Sequence, residues 1–365
     1  MRTRVTPPDD VRGDQVRARL LAVGAGLLVL GLIVAGLMWW RSAQLTDLQR
    51  ATALAPPDAQ RLSWTDWAAV RQELGTHVNL GSGVPQVEKF LDEGFQADLT
   101  STSALLQSAT TLHAKYGFSP ATLEWELLSQ SDQGAVILMR TPDSFDFEAL
   151  ADRLEGLGYD PPQSDTGVWE GGGDVLADIS PTLTPELSHV ALDADRQLIV
   201  ASDRTGYLDQ AMDTVTGDAD GLDGFDDILD ATGEPLSAEI YSGTIACQAL
   251  AMSSADLDDQ AQAQELIEAA GEVNPVTGFS MSVQPGRDIR VVLGFENEDQ
   301  AKVNADTRSV LARGPAPGQG GTFSDRFSVD RVTAEGSLVT LALDPVPGEY
   351  VLSDLSSGPV LFATC

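Results

Sequence analysis

The longest apolar run is Leu20 to Trp40, LLAVGAGLLVLGLIVAGLMWW, 21 residues without a charge. As a helix rising 1.5 Å per residue it spans about 30 Å, one crossing of a bilayer's hydrocarbon. Trp39 and Trp40 stand where an interfacial aromatic belt belongs, with Arg41 directly after. Arg2, Arg4, Arg12, Arg17 and Arg19 precede the run, whereas only Arg41 and Arg50 follow it closely. The excess of positive charge predicts a cytoplasmic N-terminus and a single-pass cell-membrane protein with its C-terminal part extracytoplasmic. A cleavable signal peptide fits less well, because its apolar region is shorter and ends in small residues, and Arg41 spoils cleavage after Ala43. Ala22/Gly26 and Gly31/Ala35 have the small-xxx-small spacing that allows two such helices to approach, so a weak homodimer through this segment is an expectation.

Beyond the run, 41–60 carries Ala-Pro-Pro-Asp and no apolar period, and reads as a stalk. Ser63-Trp-Thr-Asp66 resembles a capping box before a helix over 65–74. Helical spacing predicts two more helices, over 84–95 with Val87, Phe90 and Leu91 on one face, and over 101–115 with Leu105, Leu106 and Leu112. From Ala121 the pattern changes to alternation. ATLEWELL and AVILMR read as strands, FDFEALADRLEGLGY as a helix, and GVWEG, SHVALDAD and RQLIVASD as strands before helix YLDQAMDTV. A similar order returns after AEIYSGTI: strands TGFSMSVQ and DIRVVLGF flank Pro285-Gly286, helix NEDQAKVNADTRSVLAR follows, and RFSVDRV, SLVTLAL and PVLFATC close the chain as strands.

These readings predict an α+β protein: a cytoplasmic tail over 1–19, a transmembrane helix over 20–40, the stalk, a mostly helical segment over 61–118, and two similar units over 119–233 and 234–365. Each unit is expected to be an antiparallel sheet with helices on one face.

The formal net charge is −33, and the tail before the membrane run is positive, so the outer part holds all of the excess negative charge. Such a field repels phosphate backbones and excludes nucleic acid as a partner; only Lys89, Lys115 and Lys302 carry ammonium groups. Cys247 and Cys365 both lie beyond the membrane run, in a compartment that favours oxidation, and are expected to pair as a disulfide.

No motif brings chemistry with it. His77, His113 and His189 fall on three different predicted elements without zinc spacing, and no GxSxG, Ser-x-x-Lys or GxxxxGK[ST] occurs. No catalytic or cofactor-binding residue is assigned, and no cofactor. Gly171-Gly-Gly173 lacks the context of a phosphate loop and reads as a flexible turn. GDADGLDGFDDILD gathers acids, and Asp218, Asp220 and Asp223 are the candidate calcium ligands; the EF-hand pattern fails, with Asp223 where glycine is required and Leu229 where glutamate is required. The plainer alternative is a turn leading into a short helix with an acidic first turn.

LSWTDWAAVRQELG, LEWELL, PDSFDFEALADRLEGLGY, GVWEGG and LIVASDRTGYLDQAM resemble a group of actinobacterial membrane-anchored extracytoplasmic proteins. Their arrangement is similar to the wider families of exported bacterial proteins of unknown function with repeated strand-helix units. The resemblance implies an envelope protein and supplies no catalytic residue. The expected role is therefore a noncatalytic membrane-tethered envelope protein acting in interaction, scaffolding or sensing, with an envelope protein as partner. The alternatives are a carboxylate-dependent hydrolase of envelope glycans and a calcium-dependent adhesion module.

Overall fold

The computed structural model describes residues 45–163 and 167–365, so the apolar run over 20–40 lies outside the described residues. Among those described, no helix is long and apolar enough to cross a membrane. Asp47–Cys365 forms one compact unit.

That unit is built on a single antiparallel sheet of 11 strands. In chain order these are β1 Arg61–Thr65, β2 Trp125–Gln130, β3 Ala135–Arg140, β4 Val168–Glu170, β5 His189–Asp193, β6 Leu198–Ser202, β7 Ser237–Ser242, β8 Gly278–Val283, β9 Ile289–Gly294, β10 Phe327–Glu335 and β11 Leu338–Pro345. The spatial order is β10-β11-β9-β8-β7-β1-β2-β3-β6-β5-β4. β1 and β7 meet at the middle, with Ser63 opposite Glu239 and Thr65 opposite Ser237. The expected two sheets are thus one: pairing β1 with β7 removes two edges that would otherwise present unpaired amides and carbonyls.

The helices are α1 Asp47–Thr52, α2 Trp67–Glu73, α3 Val84–Gln96, α4 Phe147–Gly156, α5 Gly172–Ile179, α6 Thr205–Thr216, α7 Asp226–Thr232, α8 Gly243–Ala249, α9 Leu257–Ala270, α10 Glu298–Leu311 and α11 Val351–Leu355, with single turns elsewhere. They cover both faces of the sheet, not one. The larger core joins Trp67, Phe90, Leu154, Ala246, Ala301 and Leu355 to one face, and the smaller joins Leu48, Ala51, Leu208, Ala211 and Leu229 to the other. β3 explains why: Ala135, Ile137 and Met139 enter the larger core while Val136 and Leu138 enter the smaller, so AVILM is apolar at every position.

Several expectations change. The segment read as a stalk includes α1, and Leu48, Ala51, Ala55 and Ala59 are buried in the smaller core. Ser63 is a β1 residue and not part of a cap; Asp66 alone caps α2, accepting from Ala69 N at 2.8 Å. The helix expected over 101–115 is instead a succession of short 3-10, α and π turns over 106–116, ended by Gly117 at φ 87°. The triple glycine opens α5; a Cβ at Gly171 would come within 2.7 Å of the Tyr159 ring, which explains glycine there without flexibility. PVLFATC is not a strand. Val360 N donates to Leu250 O, and the carbonyls of Phe362 and Thr364 accept from Arg308, so this backbone bonds to α8 and α10 in place of a ladder.

Candidate functional site

A half-open groove of about 290 Å3 lies where three irregular pieces meet the sheet: the end of α3, the β8–β9 hairpin and the loop from β11 to α11. Its lining includes Asp98, Val283, Arg287, Ile289, Pro345 and Glu349. Ile289 and Val283 are sheet residues that the larger core fixes from behind.

Two of the three non-glycine residues with positive φ among the described residues stand on this lining, Asp98 at 56° and Arg287 at 75°. That backbone costs on the order of 1 kcal/mol and persists only where its surroundings hold it. For Asp98 the holder is α11: Leu352 N donates to Oδ2 at 2.6 Å and Ser353 N to Oδ1 at 3.2 Å. Burial pushes the Asp98 carboxyl up to about 6, against the two amides, which lower it. For Arg287 the holder is Glu73 at the end of α2, whose carboxylate lies 3.4 Å from Arg287 Nε and also accepts from Gly286 N at 3.3 Å. The opposite wall, Pro345-Val-Pro-Gly348, is fixed by Val346 N donating to Arg326 O at 2.8 Å, while Arg326 pairs with Asp354 at 2.8 Å.

The lining is acidic, and an aromatic pair adjoins it through Gln96 and Glu349. Phe95, 45% exposed, packs against Tyr350 with ring centroids 5.7 Å apart, and the Tyr350 hydroxyl donates to Gln96 Oε1. Asp288, Asp344 and Glu349 are exposed on the lining. None of them takes part in an ion pair among the described residues.

From Asp98 the chain runs inward as DLTSTS and joins the groove to a polar seam at the sheet's centre. Thr102 and Thr65 hydroxyls are 2.8 Å apart, and Glu126 accepts from Trp67 Nε1, Ser103 Oγ, Ala104 N and Leu105 N. Burial pushes Glu126 up to about 7 in spite of those four donors. Glu239, also buried and raised by desolvation, pairs with Arg61 at 3.3 Å. Ser63, Thr100, Ser101 and Ser237 keep buried hydroxyls without a protein partner.

The residues singled out from sequence lie elsewhere. Asp218, Asp220 and Asp223 are exposed on the loop before α7 and do not converge: Asp218 accepts from Thr216 Oγ1 and Asp223 from Gly224 N. Among the described residues no group of three or more His, Cys, Asp or Glu side chains is placed to hold a metal ion. What the loop does structurally is carried by its backbone, since Leu222 N donates to Ala55 O and a Cβ at Gly221 would strike Ala53 O. His113 Nε2 lies 2.8 Å from Ser82 O and His189 lies beside Thr205, so each has its own local partner. Cys247 and Cys365 form the expected disulfide, with Cα atoms 5.4 Å apart, joining α8 to the end of the chain. Sequence reasoning did not find Asp98 or Arg287. The Pro285-Gly286 turn was visible, but nothing local says that it faces the end of α3.

No family model matches the chain, and no curated protein matches it. Two solved structures, crystal forms I and III of TP0453, are similar at 7% identity and a TM-score of 0.42. They cover 84% of this chain and 96% and 97% of their own. At that TM-score the likeness carries no argument.

Proposed function

We propose that the protein is a noncatalytic, membrane-tethered component of a cell envelope whose folded body is an interaction or scaffolding module. The groove carries this reading. A pre-formed concave surface with fixed polar groups, bordered by an aromatic pair of which Phe95 is exposed, has the form of a binding site, and aromatic anchors dominate binding energy at interfaces. The uncharged run over 20–40 supplies the tether, the arginines before it place the N-terminus in the cytoplasm, and the Cys247–Cys365 bond suits an oxidising extracytoplasmic compartment. The likeness of sequence landmarks to actinobacterial envelope proteins agrees with that placement.

The same reading takes the body as two similar units. β1-β2-β3-β6-β5 in one half and β7-β8-β9-β11-β10 in the other run outward from the central pair in one order. With β1 counted in the first unit, the second begins at β7.

The test is site-specific photo-crosslinking of the full chain in its own membrane, with the reactive side chain at Tyr350 or, as control, at Glu170 on the far edge strand. A discrete crosslinked species from 350 alone is expected. Equal patterns from both positions would remove the groove's claim.

A second reading, a carboxylate-dependent hydrolase, is favoured by one observation: Asp98 is raised to about 6 beside ionisable exposed carboxyls. A raised, buried carboxyl next to a second acidic side chain is one arrangement of a general acid and its partner. Both Asp98 oxygens, however, already accept amides of α11. Release of soluble sugar from envelope glycan, abolished in D98N, would establish the hydrolase over the module.

A further inference from the structure

We infer that the groove takes an extended, lysine- or arginine-bearing segment of a partner protein. The inference rests on reading the body as an interaction module and names the chemistry of what it holds.

Charge points this way. Asp288, Asp344 and Glu349 are exposed, unpaired carboxylates on one lining, and the single cation there, Arg287, is already matched by Glu73. An anionic segment would meet uncompensated like charge, which costs specificity and association rate; a cationic one is steered in and paired at the rim. Aromatic chemistry points the same way independently. The Phe95–Tyr350 pair stands next in sequence to Gln96 and Glu349 of the lining, with Phe95 45% exposed, and an ammonium or guanidinium is attracted to aromatic rings as well as to carboxylates. The floor adds a further requirement. Val346, 37% exposed, and the half-buried Pro345 give apolar contact, with Val283 and Ile289 buried behind them, so the occupant needs side-chain hydrocarbon as well as charge. Lysine and arginine stems supply both. A small free cation would satisfy the rim and leave the floor wet.

An extended segment also fits the walls. Pro345 and Pro347 offer no amide hydrogen, and the β8–β9 turn is closed on itself by Arg287 N donating to Gln284 O at 2.8 Å. Neither wall is a free strand edge, so recognition falls to side chains and not to added β-ladder bonds.

The experiment measures binding to the full-length protein in a zwitterionic detergent. The probes are a peptide of about ten residues alternating proline and lysine, its glutamine and glutamate counterparts, and spermidine. The lysine peptide is expected to bind. Its affinity should fall about tenfold or more in the D288N/D344N/E349Q variant and in Y350A, and fall again as salt is raised. The three acids are exposed and Tyr350 is half-buried against Phe95, and an unchanged melting temperature verifies that each variant is folded. Equal binding of the lysine peptide to wild type and triple variant would overturn the inference. So would binding of spermidine without the peptide. Binding of the glutamine peptide with loss in Y350A alone would overturn the cationic requirement and leave the interaction module standing. Failure of every peptide would remove both.

Discussion

Glu126 and Arg308 are both fully buried ionisable groups with no opposite charge against them among the described residues, and the protein treats them in mirror fashion. Glu126 is surrounded by four donors, from Trp67, Ser103, Ala104 and Leu105. Arg308 on α10 is surrounded by four acceptors: Asn304 Oδ1 at 3.0 Å, Phe362 O at 2.8 Å, Thr364 O at 2.9 Å and Asn274 O at 2.7 Å. In each case the group fixes backbone that has no ladder of its own, the 103–105 turn in one region and the last residues of the chain in the other. The difference lies in what else holds that backbone. The C-terminal segment is also tied by Cys365 to Cys247, whereas the 103–105 turn has, besides Glu126, Ser103 N donating to Thr100 O and Ser108 N donating to Leu105 O, and no covalent tie. One region is therefore set to respond to redox conditions and the other to pH.

The largest effect should come from opening the covalent tie. The disulfide closes a loop with a sequence separation of 118, and in the chain-entropy model that removes about 4 to 5 kcal/mol from unfolding stability on reduction. Denaturant unfolding with and without reductant measures it; an unchanged midpoint would show that Arg308 and the other noncovalent contacts secure the C-terminal segment without the bond. Replacing Arg308 is next. Arg308→Leu leaves three backbone carbonyls without their donor and takes one of two donors from Asn304 Oδ1, which keeps Asn274 N, a loss of about 3 kcal/mol. Desolvation brings the guanidinium down only to about 9, so at neutral pH the group removed is a charged one. Because both devices hold one segment, the two losses should not add. A double-mutant cycle of R308L with C247S/C365S that closes with no coupling would separate them.

Glu126→Gln should cost less, about 2 kcal/mol. Glutamine keeps the shape and one accepting oxygen, but its amide nitrogen must face either Ala104 N and Leu105 N or Trp67 Nε1 and Ser103 Oγ, donor against donor. Thermal or denaturant unfolding of the oxidised protein reads it. A neutral result would mean that the Glu126 carboxyl is already protonated at the pH of measurement, and would move the pH dependence below to higher values.

Most strands and long helices were legible because their period is local. AVILMR, RQLIVASD and DIRVVLGF announce themselves by apolar runs, and α3 by Val87, Phe90 and Leu91. What escaped depends on partners far along the chain. RLSWT is five residues beside a strong helix signal, and it becomes a strand because β7 and β2 lie on either side. PVLFATC has strand composition but no neighbour to pair with, and Arg308 takes its carbonyls. The groove was the least legible of all. Its parts come from residues 96–98, 283–289 and 344–349, and the positive φ of Asp98 is a consequence of α11, more than 250 positions later. In the acidic loop the sequence showed the abundance of carboxylates but not the backbone contact, Leu222 N donating to Ala55 O just after α1.

The smallest effect, and the sharpest for the comparison, is on pH. Burial raises Asp66 and Asp98 to about 6 and Glu126 to about 7, from ordinary values of 3.8 and 4.5. As pH falls through 7 and then 6 the folded chain takes up these protons first, while the unfolded chain waits until near 4. In that window the folded state binds more protons, so stability rises as pH falls and is lost as pH rises through the folded values. Arg308 contributes nothing there, since it stays charged throughout. The melting temperature should therefore be higher near pH 5.5 than near pH 8, by a few degrees for a body of this size. E126Q should remove the part of the rise that lies nearest neutrality, and R308L should leave the slope unchanged while lowering the whole curve. A slope lost in R308L and kept in E126Q would reverse the assignment of pH response to the first region.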